Sequence, residues 1–156
     1  MKRLTCVFFI VLGLIALAST RASADTEVGS VTGAGQALFQ AGAAFGVVNL
    51  DSLDAGIGVF IDPNGSASGV FHAVLAGHSL LGQSEITVEG EVSAGGMGPF
   101  GQANFSGVAT VDLGDGTPLL LGVPFSVTVA DGSVVLALEA TTLLPAAMSA
   151  DSITIE

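Results

Sequence analysis

The sequence predicts an all-β fold: a single antiparallel meander of about eight strands that closes into a barrel, with a β-sandwich as the alternative. Three observations carry this expectation. Apolar residues alternate with polar or small ones at period two through most of the chain, as in ITVEGEV, where Ile86, Val88, Gly90 and Val92 oppose Thr87, Glu89 and Glu91. Asp-Gly turns at Asp115-Gly116 and Asp131-Gly132 separate the apolar runs, as hairpin connections do. Glycines also fall on the apolar face, at Gly90 and Gly107, where a strongly curved sheet needs them.

Taken in order, the chain begins with the three parts of a secretory signal. Lys2 and Arg3 give a positive start, Val7 to Ala18 an apolar core, and Ser19 to Ala24 a small, polar end. That core is shorter than the ~20 apolar residues that span a bilayer as a helix. Two cleavage patterns overlap, Ala16-Leu17-Ala18 and Ala22-Ser23-Ala24, and the spacer favours a cut after Ala24. Residues 1–24 are therefore read as a signal peptide and 25–156 as one antiparallel β domain, exported to the periplasm or the exterior of a bacterial cell.

Strands are expected near 28–33, 43–50, 56–61, 67–76, 85–93, 103–113, 119–130, 133–141 and 152–156. FSGVATVDL places Phe105, Gly107, Ala109, Val111 and Leu113 on one face, and VPFSVTVAD does the same for Val123, Phe125, Val127 and Val129. Two stretches stay open. Ala34, Leu38, Ala41 and Phe45 share a helical face, although Gly35 and Gly42 weaken a helix. Pro145 to Ala150 reads as a short helical turn begun by proline. A membrane barrel is disfavoured, because the chain lacks Trp and Tyr for interfacial girdles and sets Glu89, Glu91 and Asp112 on its outward faces.

Charge narrows the function classes sharply. Lys2, Arg3 and Arg21 are the three basic residues, and all 14 acidic residues lie at or beyond Asp25. The domain after cleavage thus carries −14 on its side chains with His neutral, and has no Lys or Arg. Nucleic acid is excluded as a partner, since nothing displaces counterions from phosphates. Anionic lipid and phosphorylated ligands are disfavoured for the same reason. Cys6 leaves with the signal, so packing and backbone hydrogen bonds hold the fold without a disulfide.

Catalytic patterns are sparse. His72 and His78 lie about 20 Å apart if one strand carries both, too far to share a metal. Glu89 and Glu91 project from one face about 6.6 Å apart, near a glycosidase spacing, but read better as two solvated charges. GSASG lacks the central serine of a nucleophile elbow. The acidic loops offer calcium candidates, Asp62 with Asn64 and Asp112 with Asp115, whose side chains also suit ordinary turns.

The segments GSASGVFHAV, ITVEGEV, FSGVATV, PFSVTVADG and DSITIE, with Phe45-Gly46 before them, resemble small secreted bacterial all-β domains of unknown function. The resemblance spans most of Gly33 to Glu156 and implies an all-β fold, with no activity attached.

The expected function is accordingly non-catalytic: a secreted or periplasmic β domain with an acidic surface, structural or binding, using no cofactor and not an enzyme. Val108, Ala130, Val135 and Ala137 face outward with no Lys beside them, which leaves a strand edge open to self-association. The alternative is a carrier holding a small apolar molecule inside the barrel, lined by Phe39, Phe45, Phe60, Phe71, Phe105 and Phe125. An enzyme built on barrel carboxylates or a histidine ranks last.

Overall fold

A computed structural model describes residues 28–130, 132–149 and 152–156. The expected signal peptide, its expected cleavage site and the expected domain boundary at residue 25 lie outside the described residues. Within them the fold is antiparallel β throughout, with one short 3-10 turn at Pro99–Gly101 and no α-helix. The strands are β1 (Gly29–Phe39), β2 (Ala44–Phe45), β3 (Val48–Ile61), β4 (Ser66–Ser79), β5 (Gly82–Met97), β6 (Ala103–Asp112), β7 (Leu120–Ala130), β8 (Ser133–Leu138), β9 (Thr141–Thr142), β10 (Ala146–Met148) and β11 (Ile153–Ile155).

Neighbours in sequence pair as a meander from β3 to β8. β1 then pairs with β3 on one side and with β10 and β11 on the other, which closes a ring of eight strands that is not evenly round. The expected meander therefore closes on itself. Closure removes most sheet edges, the usual liability of an all-β chain.

The alternation read from sequence sets the faces. On β5, Ile86, Val88, Gly90 and Val92 are buried while Glu89 and Glu91 are exposed. On β7, Val123, Phe125, Val127 and Val129 are buried in the same way. Phe71, Phe105 and Phe125 meet at the centre of the core. The Phe71 and Phe125 rings stack with centroids 5.5 Å apart, and Phe105 meets Phe71 edge-on at 5.9 Å. Each such ring contributes roughly 1.5–3 kcal/mol by leaving water.

Three local expectations are corrected. The run at 43–50 divides into β2, a two-residue turn and the start of β3, and β3 then continues without ending through the run at 56–61, with a bulge between Leu50 and Ser52. The bulge adds Asp51 as an extra residue, so Leu50 and Leu53 both face inward and the period-two pattern breaks in the sequence without the strand ending. The helical face at Ala34, Leu38, Ala41 and Phe45 is not used, because β1 continues as strand to Phe39. There Gly35 lets β1 come close to the C-terminal segment, and a Cβ at this position would stand 2.6 Å from Ser152 Cβ. Pro145 precedes strand β10 instead of starting a helical turn, since residues 146–147 are captured by the edge of β8.

Candidate functional site

The two calcium pairs fall at opposite ends of the ring. Asp112 stands level with Asp54 on β3 through Thr87 and Val74, while Asp62 lies eight residues further along β3, about 26 Å away at strand spacing. Each pair serves its own turn. Asn64 Oδ1 accepts the Ser66 N–H at 2.9 Å, and Asp112 Oδ1 accepts that of Gly114 at 2.9 Å. Asp115 Oδ1 accepts both the Thr117 N–H at 2.9 Å and the Thr117 hydroxyl at 2.6 Å, and the hydroxyl holds the Asp115 carboxyl below its usual range. Among the described residues, no three His, Cys, Asp or Glu side chains gather where they could hold one ion.

The two histidines share the outer face of one unbroken strand, β4. His72 lies opposite Glu89, which lies opposite Thr110, and the row beside it is Val70, Glu91 and Val108. Together these residues line a surface groove of about 510 Å³. Glu89 and Glu91 are exposed there, and no side-chain hydrogen bond joins either to His72 among the described residues. His78 does have a partner. The β3 bulge re-aims Asp51, whose Oδ2 lies 3.1 Å from His78 Nδ1 with both side chains more than half exposed. Among the described residues no polar or charged side chain is buried.

One end of the ring is apolar. The β4–β5 turn has Leu80 and Leu81 at its two-residue tip, and both are fully exposed. Val47 tips the β2–β3 turn at 86% exposure, and Leu119, Leu120 and Leu121 are exposed where β7 begins. All lie at the same end of the ring. Sequence periodicity passes over these residues because a turn tip belongs to neither face of a strand. The available signal was chemical: two consecutive leucines between Ser79 and Gly82, where a turn ordinarily takes Asn, Asp or Gly.

Beneath these tips lies a hollow of about 470 Å³. Phe45, Val48, Ile86 and Leu113 line it from the core side, and Ser79, Gln83, Ser84 and Asp115 supply its polar wall. Its lining comes from three connections, β2–β3, β4–β5 and β6–β7, that register brings together. The phenylalanines expected to line a cavity separate into three groups. Phe71, Phe105 and Phe125 fill the core, Phe39 and Phe45 sit half-buried at its edge, and Phe60 points outward at 62% exposure. Phe60 shares the outward parity of Gly58 and Gly56, since Val59 and Ile61 on either side of it are the inward residues.

No family model, curated protein or solved structure matches the chain. Among the described residues, no helix is long and apolar enough to cross a membrane.

Proposed function

We propose that the chain is a non-catalytic binding or structural domain of the cell envelope or the cell exterior, working through the apolar loop end of its ring. The observation that carries this reading is the exposure of Leu80 and Leu81 at a turn tip, beside Val47, over an interior already filled by aromatic and aliphatic side chains. Exposed aliphatic clusters on a folded domain are the usual mark of a contact surface. The described titratable groups are all reached by solvent, an arrangement that suits solubility and steering more than acid–base chemistry.

Native mass spectrometry of the protein from its host's exported fraction tests the reading. It is expected to show a chain beginning at Asp25 with a bound partner, and a Leu80→Ser/Leu81→Ser variant is expected to lose that partner while melting at the same temperature. An intact precursor retained in the cytoplasm, or a partner still held by the variant, would overturn it.

A second reading, a carrier of a small apolar molecule, is favoured by the hollow under the same loops. Its volume lies within the range of roughly 300–1,000 Å³ that small-molecule sites occupy. The ligand would then sit at the end of the ring and not inside it.

A further inference from the structure

Resting on the carrier reading, we propose that the hollow beneath Val47 and Leu81 takes a small apolar molecule with a positively charged head and turns away one with an anionic head. The apolar part of such a molecule has a ready wall in Phe45, Val48, Ile86 and Leu113, of which Ile86 belongs to the core and the others pack against it. The head is chosen by what surrounds the opening. Asp115 lines the hollow, and the adjoining surface carries Glu85 and Asp112. Among the described residues there is no Lys or Arg anywhere to meet an anion. The nearest group able to become cationic, His78 beside Ser79, already faces the Asp51 carboxylate at 3.1 Å.

A fatty-acid-like carboxylate at this opening would therefore meet like charge with no compensating donor except backbone N–H and the Ser79, Ser84 and Gln83 side chains. An ammonium head would meet carboxylates. The Thr117 hydroxyl and N–H, which both donate to Asp115, hold its carboxyl below the usual range. The preference is a surface effect and so is modest in size and sensitive to salt.

The test uses the neutral fluorescent probe N-phenyl-1-naphthylamine with the purified exported domain. Fluorescence is expected to rise on binding. Dodecyltrimethylammonium, below its micelle concentration, is expected to displace the probe about five- to ten-fold more effectively than dodecanoate. Asp115→Asn should narrow that ratio by about two- to five-fold. Ser84→Phe, which fills the hollow, should abolish the fluorescence rise. Should that variant fail to fold, methyl NMR shifts of Val48, Ile86 and Leu113 on probe addition to the native domain locate the site instead.

The failures are distinguishable. No probe binding by the native domain overturns both the carrier reading and the head-group preference. Equal displacement by dodecanoate overturns the preference and leaves the carrier reading standing. Undiminished binding by a folded Ser84→Phe variant, or shifts confined to other methyl groups, overturns the assignment of the hollow.

Discussion

Gly90 on β5 leaves the space that the Phe125 ring of β7 occupies: a Cβ built on Gly90 would stand 2.7 Å from both Cε1 and Cζ of that ring. The two strands are not neighbours, since β6 runs between them. Phe125 leans over β6, fills the gap at Gly90 and stacks on Phe71, the cross-strand partner of Gly90 on β4. A missing side chain is what allows the two rings to meet.

Gly90→Ala is expected to destabilise the domain by about 1–3 kcal/mol, the cost of overpacking a filled core, as read by urea denaturation. In a Phe125→Leu background the same substitution should cost much less, because the methyl group then has room. Equal costs in the two backgrounds would show that the ring and the glycine are not coupled.

Asp115 gives a pH dependence with a definite sign. Its carboxyl titrates below the ordinary value of 3.8 because the Thr117 hydroxyl and N–H donate to it in the folded state. A depressed folded value means that its contribution to stability is complete above the unfolded value and is lost as pH falls through the folded one. Thr117→Val keeps the backbone donor and removes the hydroxyl, so the titration midpoint of Asp115 should rise. Carbon-13 shifts of the carboxyl group report this directly, and an unmoved midpoint would contradict the assignment.

One sheet edge stays open where the ring closes. Ser30 and Glu156 exchange both backbone hydrogen bonds, at 2.7 and 3.0 Å, so the N–H and C=O groups of Ile153 and Ile155 point away from β1. No described strand pairs with them there. We expect concentration-dependent self-association through this edge, seen by size-exclusion chromatography with light scattering. Ile155→Pro, which deletes an edge N–H and none that β1 uses, should return the protein to monomer. A monomer at every concentration for the native domain would dispose of the idea.

What sequence could disclose followed from periodicity. Ile86, Val88 and Gly90, like Val123, Phe125 and Val127, reveal their inward face because two-residue alternation survives any change of neighbour. It failed at Asp51, where one added residue shifts the phase within an unbroken strand. It also failed at Ala34 to Phe39, where small residues satisfy helical and extended spacing alike.

The candidate site was less legible. Phe45, Ile86 and Leu113 meet through register, a non-local property that no window of sequence contains. Leu80 and Leu81 stood in view, but their meaning depends on being at a tip, which only the neighbouring strands decide. The acidic turn residues suit either use in sequence, and Asn64, Asp112 and Asp115 each accept a backbone N–H of their own loop.

The pairing of β1 with β10 and β11 has a kinetic consequence. The meander from β3 to β8 grows by adding each strand to the one just made, with little loop entropy at each step. Joining β1 to the last strands unites opposite ends of the described chain, the costliest contact the fold contains. We expect that contact to form last, so that the folding chain stays an open sheet until β10 and β11 join β1. Refolding kinetics should then show protection of the β4–β5 amides ahead of those at Ser30 and Glu156, which donate across the closing pair.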